Sequence, residues 1–291
     1  MSSPDTKPAA DIALAVVTRD RAAMFARCIA PGLERSACDG GEIVVVDQSL
    51  DDATARHVAQ LEGARHLRSG PGLSVGRNVA VAATAASFVA FTDDDVILPA
   101  GWLIAMRDLL AGHPGVGAVC GRARLPTGER FDGVAPGTYR WPRSAFRLGS
   151  GFNFAFRREA LTAAGPFDEL LGAGARFRSA EDTDMLYRVL RAGWAVLCSD
   201  EIDVVHDDWR PRSAMPRLLF GYGIGTGAQS AKHHAGGDEV AAAIARGELG
   251  GALRGSAEAA AGLQPVTAVS RLAYAAGFVA GYARFRRAMT P

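Results

Sequence analysis

A chain of 291 residues with 48% apolar content can bury a large core, as one large domain or two smaller ones. Its 32 Lys plus Arg nearly balance 31 Asp plus Glu, which excludes the basic surface that a general nucleic-acid binder needs. Four cysteines (Cys28, Cys38, Cys120, Cys198) show neither metal-ligand spacing nor a disulfide framework, and read as free thiols of a reducing compartment.

The N-terminal MSSPDTKPAAD has no apolar centre, so residues 1–10 are expected to form a disordered arm rather than a signal peptide. No uninterrupted apolar run reaches the length of a spanning helix, and a cytoplasmic location is expected. IALAVVT (12–18) reads as a buried strand and 21–36 as a helix; EIVVVD (42–47) is a second strand, followed by a helix over 51–62. ARHLR is a weak, edge-like strand, 74–86 a helix, SFVAFTD (87–93) a strand, 101–110 a helix and 116–125 another strand. This alternation, with continuously apolar strands, predicts an α/β fold with a mostly parallel sheet covered by helices on both faces.

The second half is less regular. Residues 126–150, rich in Gly, Pro and aromatics, read as a long loop or irregular hairpin over one face of the sheet. A strand over 151–157, helices over 159–164 and 180–192, and the strand WAVLCS follow. Beyond residue 212 the pattern turns helical, in stretches ending at 232, over 238–261 and over 266–289.

The predicted order sets Thr18, Asp47 and the triplet Asp93, Asp94 and Asp95 at the C-terminal ends of parallel strands, where open α/β sheets bind ligands. The triplet reads in two ways, as a solvated helix-start cap or as an oxygen-donor site for Mg²⁺ or Mn²⁺. In an extended segment Asp93 and Asp95 share a side and Asp94 points away. GPGLSVGRN lacks the glycine spacing of a dinucleotide fingerprint, and its Arg77 is either a phosphate or base contact or a surface residue. Glu181, Asp182 and Asp184 fall in the first turn of a helix, which favours carboxylates and can also hold a general base beside a cleft. His206 ends a short apolar strand and becomes an additional metal ligand only if it meets the Asp triplet. No P-loop, HExxH or Gly-x-Ser-x-Gly elbow is present.

In order along residues 12–208, AVVTRDR, IVVVDQSLDD, PGLSVGRNVA, FTDDDV, GFNFAFRREALTAAGPFDE and AEDTDMLYRVLRAGW together resemble a family 2 nucleotide-sugar glycosyltransferase of the GT-A fold. The resemblance implies an inverting, metal-dependent transfer from a nucleoside-diphosphate sugar to a glycan, glycolipid or small-molecule hydroxyl, with Mn²⁺ or Mg²⁺ as cofactor. It places Thr18 and Arg21 by the nucleotide, Asp47 on its base, and Arg77 on the base or diphosphate. Asp93 and Asp95 match the Asp-x-Asp motif, with Asp95 the metal ligand and Asp93 a ribose or metal-water contact; Asp94 is grouped with the donor-binding residues. Gly151, Phe152, Asn153 and Glu181 belong to the acceptor side, Asp182 matches the general base, and His206 falls where an extra metal ligand occurs. Gln48, between the aligned Asp47 and Ser49, is the one departure.

Two rivals share the fold: a nucleotidyltransferase, whose Gly-rich signature after the first strand is replaced here by VVTRDRAAM, and a non-catalytic binding protein. The segment FDGVAPGTYRWPRSAFR reads as a cover over donor or acceptor or as an ordinary packed loop. The resemblance thins beyond residue 210, dividing a catalytic domain (11–210) from a helical extension (211–291). The last helix, with Arg284, Arg286 and Arg287 at its end, either lies on the inner face of a membrane or packs on the core or on a second copy. Its Ala275, Ala276, Gly277 and Gly281 favour packing, and Arg271 argues against crossing a bilayer.

Overall fold

Seven consecutive small or apolar residues, all but one buried, make Ile12–Thr18 the inner strand β1. A computed structural model describes residues 10–130, 135–148, 151–207 and 210–288 of the chain. Residues 1–9 of the expected arm, 131–134 of the aromatic-rich segment and the end of the last helix beyond 288 lie outside the described residues. After β1 come α1 (Ala22–Cys28), α2 (Ala30–Cys38), β2 (Glu42–Asp47), α3 (Ala53–Val58), β3 (Arg65–Arg68), α4 (Leu73–Ala83), β4 (Phe88–Thr92), β5 (Val96–Ile97), α5 (Trp102–Gly112) and β6 (Val116–Arg124). Then follow β7 (Gly137–Tyr139), α6 (Ala145–Leu148), β8 (Phe154–Arg157), α7 (Arg158–Ala164), α8 (Glu181–Arg191), β9 (Ala195–His206), α9 (Met215–Ala235), α10 (Glu239–Ala261) and α11 (Pro265–Ala288).

The sheet runs β3-β2-β1-β4-β8-β6-β9-β5, with β7 also paired to β9. The first four strands are parallel, and β6 is parallel to β9; β8 is antiparallel to both its neighbours, as is β5 to β9. Strand alternation sends Leu14, Val16, Ile43 and Val45 to a core with Phe25, Ile29, Trp102 and Met106. Ala15, Val44, Val46 and Phe91 face the other side, against Ala80, Phe154, Phe156, Met185 and Leu190. The sheet is therefore covered on both faces, as the unbroken apolar strands predict.

Three expectations are corrected. The single helix expected over 21–36 is two, because Pro31 in the first turn of α2 has no N–H to carry the helix through Ile29. Of the strand expected over 151–157, only Phe154–Arg157 is paired. WAVLCS extends instead to His206, because the two-residue strand β5 pairs with the far end of β9 (Val96 opposite His206). The described part of the aromatic-rich segment packs on the core: β7 pairs with β9, and Phe146 meets Tyr187 edge-on at 5.9 Å.

The C-terminal helices are joined to each other by glycine. A Cβ on Gly223 would lie 2.1 Å from the Tyr274 carbonyl oxygen, and one on Gly281 would lie 2.0 Å from that of Ile224, so α9 and α11 touch backbone to backbone. This layer is fastened to α8 through the buried Asp184, which accepts from Arg188 (2.8 Å), His233 (2.8 Å) and Lys232 (3.2 Å). Burial opposes the Asp184 charge, but these three partners outweigh it and hold its pKa far below the carboxylate norm. Tyr187 donates to Asp238, the N-cap of α10, at 2.7 Å. Among the described residues no helix is long and apolar enough to cross a membrane.

Candidate active site

Register brings the strand ends together: Thr18 lies opposite Asp47, and Val16 opposite Thr92. Asp93, Asp94 and Asp95 follow β4 directly, and β5 starts at Val96, so the triplet occupies a strand-to-strand turn rather than a helix start. That turn corrects the expected alternation. Arg21 spans the adjacent pair, with Nη1 2.7 Å from Asp94 Oδ1 and Nη2 2.7 Å from Asp95 Oδ2, while Asp93 stands 3.7 Å from Arg77. Thr18 donates to Asp94 at 2.6 Å. Like-charge repulsion in the triplet is thus offset by two guanidinium groups.

Asp94 and Asp95 are buried, whereas the Asp93 side chain keeps 32% of its surface exposed. Burial raises the Asp94 pKa to about 7 against the opposing pull of Thr18 and Arg21. Withdrawal from water and the neighbouring Asp95 raise that of Asp93, against the pull of Arg77. His206 is brought to the cluster by the β5–β9 pairing, its Nε2 3.5 Å from Asp95 Oδ1. Asp207 N donates to the Asp95 carbonyl at 2.9 Å and fixes the same crossing.

Arg77 on α4 is buried, contrary to its alternative reading as a surface residue. It donates to Glu181 Oε1 at 2.9 Å and to the Gly151 carbonyl at 2.7 Å, and its guanidinium lies 5.1–5.9 Å from the ring centroids of Phe91, Phe154 and Phe167. Its helix reaches the sheet because Gly76 is a glycine: a Cβ there would lie 2.5 Å from Val17. Gln48 explains its own departure from the family pattern. Its amide accepts from Gly72 N (3.1 Å) and donates to Gly72 O (2.8 Å), pairing like a strand with the loop that opens α4.

Asp47 is fully buried. Its carboxylate accepts from Ser49 N (2.9 Å), lies 3.1 Å from His66 Nε2 and 3.4 Å from Arg68 Nη1. Burial opposes its charge, yet Ser49, His66 and Arg68 together lower its pKa. His66 and Arg68, which hold it, are themselves partly exposed at this corner.

On the opposite side, Gly151 lies between the two halves of the site. A Cβ on it would be 3.0 Å from Arg77 Nη2 and 3.2 Å from Asp182 Oδ2. Phe152 packs on the His206 ring at 4.7 Å. Asn153 is a correction: it is completely buried and faces the interior. Its amide donates to the carbonyls of Arg122 and Ile202 (both 2.8 Å) and accepts from Trp102 Nε1 (3.0 Å), filling the irregularity where β6 slips against β9.

Asp182 sits partly exposed in the first turn of α8, accepting from Thr183 N at 2.8 Å. Glu181 beside it is buried, which together with the Asp182 charge raises its pKa to about 7 against the pull of Arg77. The backbone entering this helix is strained, with Arg178 at φ 68° and Ala180 at φ 73°. It is held by α9: Ser179 Oγ donates to the Gly221 and Tyr222 carbonyls (3.2 Å each), a contact only a glycine at 225 permits. Tyr222, whose carbonyl takes part in this contact, is a residue that sequence reasoning missed. Withdrawal of its hydroxyl from water, eased by Arg210 and reinforced by Asp182, Asp93 and Glu181, raises its pKa.

The carboxylates of Asp93 and Asp95 and the imidazole of His206 are donor types that Mn²⁺ or Mg²⁺ accepts, and of these Asp95 and His206 stand together. Among the described residues no three such side chains form a ready-made cage.

The family model for glycosyl transferase family 2 matches residues 14–164, from β1 through α7. The chain belongs to glycosyl transferase family 2. Asp182 and His206 lie beyond the matched residues. Two curated relatives, the pre-mycofactocin glycosyltransferases of two Mycobacterium tuberculosis strains, are 28% identical over 230 residues, covering 70% of this chain and 45% of theirs. The chain thus spans about half the length of the curated relatives it matches. Among solved structures, the mannosyltransferase PcManGT of Pyrobaculum calidifontis, in complex with GDP-Man and Mn²⁺, superposes with a TM-score of 0.65 at 19% identity, covering 93% of this chain and 86% of that one. Staphylococcus aureus TarS superposes with a TM-score of 0.55 at 15% identity, over 72% of this chain and 65% of that one. Both have the GT-A-like fold described above: a mostly parallel sheet between helices.

Proposed function

We propose that the chain moves a sugar from a nucleoside-diphosphate sugar to an acceptor hydroxyl, with inversion at the anomeric carbon. One observation carries this reading: Gly151 stands between the acidic cluster and Asp182, its carbonyl held by Arg77, with a Cβ on it reaching to 3.2 Å of the Asp182 carboxylate. This reading puts the donor side and the candidate base in one cleft. Family membership and the Mn²⁺-bearing structural relative support the donor class and the cofactor.

Asp95, with His206 and Asp93, would hold Mn²⁺ or Mg²⁺, which when bound supplies charge neutralisation for the departing diphosphate. Thr18 and Arg21 line the donor side of this cluster, and Arg77 fixes the spacing between donor and acceptor sides through Gly151 and Glu181. Asp182 takes the proton of the acceptor hydroxyl as its oxygen attacks, so no enzyme nucleophile is needed. On this reading residues 11–210 carry the catalytic side chains, and α9, from the helical extension, positions Asp182 through Ser179. The acceptor is a hydroxyl of a glycan, glycolipid or small molecule, and the protein works in the cytoplasm.

Calorimetric titration of UDP, GDP and dTDP, with Mn²⁺ or Mg²⁺ and again with EDTA, tests the reading. One nucleotide is expected to bind in the presence of the ion and to lose affinity with EDTA and in Asp95→Ala. Absence of binding by all three under every condition would overturn it.

A further inference from the structure

Two arginines neutralise the Asp triplet, and they are held very differently. Arg77 is buried, stacked among three aromatic rings and bonded to Glu181 and Gly151, so it cannot leave without uncovering buried charge. The Arg21 side chain is 31% exposed, while Asp94 and Asp95 beneath it keep only 3% and 4%. Arg21 therefore covers the solvent side of these two carboxylates. The loop that aims it is fixed at Asp20, which adopts φ 54°, donates its N–H to Ser49 Oγ at 2.7 Å and accepts from Leu50 N at 3.3 Å.

We infer that Arg21 is an exchangeable counter-ion: a divalent cation reaching Asp95 displaces its guanidinium, which then pairs with the donor diphosphate. The inference rests on the metal site proposed above and adds a coupling between the two ligands. A cation alone must break the 2.7 Å contact of Arg21 with Asp95 and leave two positive charges side by side, which opposes binding. A diphosphate gives that guanidinium a planar, two-oxygen partner, so each ligand strengthens the other. Such coupling is reciprocal and commonly amounts to about 5- to 150-fold. Thr18 keeps Asp94 in place throughout, through its 2.6 Å hydrogen bond.

The test is a titration of Mn²⁺ alone into the full chain, followed by the paramagnetic resonance signal of unbound Mn²⁺, and repeated with saturating UDP or GDP. In the wild type, the nucleotide is expected to tighten Mn²⁺ binding by about tenfold or more. Arg21→Gln is expected to bind Mn²⁺ alone about tenfold more tightly than the wild type, and to show a smaller nucleotide effect, the remainder being the direct attraction of the ion for the diphosphate. Arg21→Lys keeps the charge but cannot span two carboxylates. It is expected to fall between the two, and it carries the test where Arg21→Gln fails to fold by circular dichroism. Equal Mn²⁺ affinity in variants and wild type, with the nucleotide effect intact, would overturn the counter-ion role and leave the metal site standing. No Mn²⁺ binding in any protein, with or without nucleotide, would overturn both.

Discussion

Arg77 donates to Glu181 at 2.9 Å inside a cage of Phe91, Phe154 and Phe167, joining the fourth helix of the chain to the start of the helix that carries Asp182. Both partners are buried, so the pair separates the effect of a lost contact from that of a stranded charge. Well above pH 7, where Glu181 is ionised, Arg77→Met leaves it without its cation and is expected to destabilise the fold by about 3–5 kcal/mol. Adding Glu181→Gln removes the charge, and the double variant is expected to be more stable than Arg77→Met alone. Urea unfolding of the four proteins measures the coupling; strictly additive losses would show that the pair does not act as a unit.

Glu181 also gives stability a pH dependence. Its pKa rises from 4.5 to about 7 in the fold because of burial and the charges of Asp182 and Asp93, against the pull of Arg77. The folded state therefore holds a proton that the unfolded chain releases between these values. That contribution is fully present below about pH 4.5 and is lost as pH rises through about 7, amounting to roughly 3 kcal/mol at most. Asp184, whose pKa is depressed, acts the other way: its stabilisation is present above its ordinary value and lost in acid. Melting temperatures of the wild type are expected to fall between pH 5 and 8, and to fall less in Glu181→Gln. An identical slope in the two proteins would remove Glu181 as the cause.

The sequence carried the sheet because its inner strands are continuous apolar runs, and it carried the placement of Thr18 and Asp95 because parallel strands end at one edge. His206 could be matched to a ligand position only by resemblance. Its approach to Asp95 depends on β5, a two-residue strand too short to leave a pattern, pairing across more than a hundred residues of chain. Asn153, which the resemblance puts on the acceptor side, and Asp47, which it puts on the base, both spend their side chains on internal partners in this structure. Their hydrogen bonds run instead to Trp102, Arg122 and Ile202, and to Ser49 and His66, and local sequence holds no record of such partners. Gln48 was noticed as an oddity, and its bond to Gly72 gives the reason.

Asp182→Asn keeps the size and the acceptor oxygen that meets Thr183 N, and removes the base. Transfer is expected to fall by about 10²–10⁴-fold, the usual worth of a positioned proton acceptor. Binding of the nucleoside diphosphate and the melting temperature are expected to stay near wild type. Loss of nucleotide binding in this variant would move Asp182 from the acceptor side to the donor side.

Glycines of the C-terminal helices divide sharply by what surrounds them. A Cβ on Gly277 would lie 2.1 Å from the Phe220 carbonyl oxygen and one on Gly227 2.1 Å from that of Phe278, so alanine at either must push α9 and α11 apart. Overpacking of this kind costs about 1–3 kcal/mol, and here the obstacle is backbone, which cannot rotate away. Gly247, within α10, has nothing within 4 Å of its Cβ position and no positive φ. Gly247→Ala is expected to stabilise by about 0.4–1 kcal/mol, through a less flexible unfolded chain and better helix propensity. Because α9 holds Ser179 and the strained turn before Asp182, Gly277→Ala is also expected to lower transfer activity, whereas Gly247→Ala leaves it unchanged. Thermal melts and transfer assays on the two variants check both halves. Unaltered activity in a destabilised Gly277→Ala would show that the helical layer supports the fold without positioning the base.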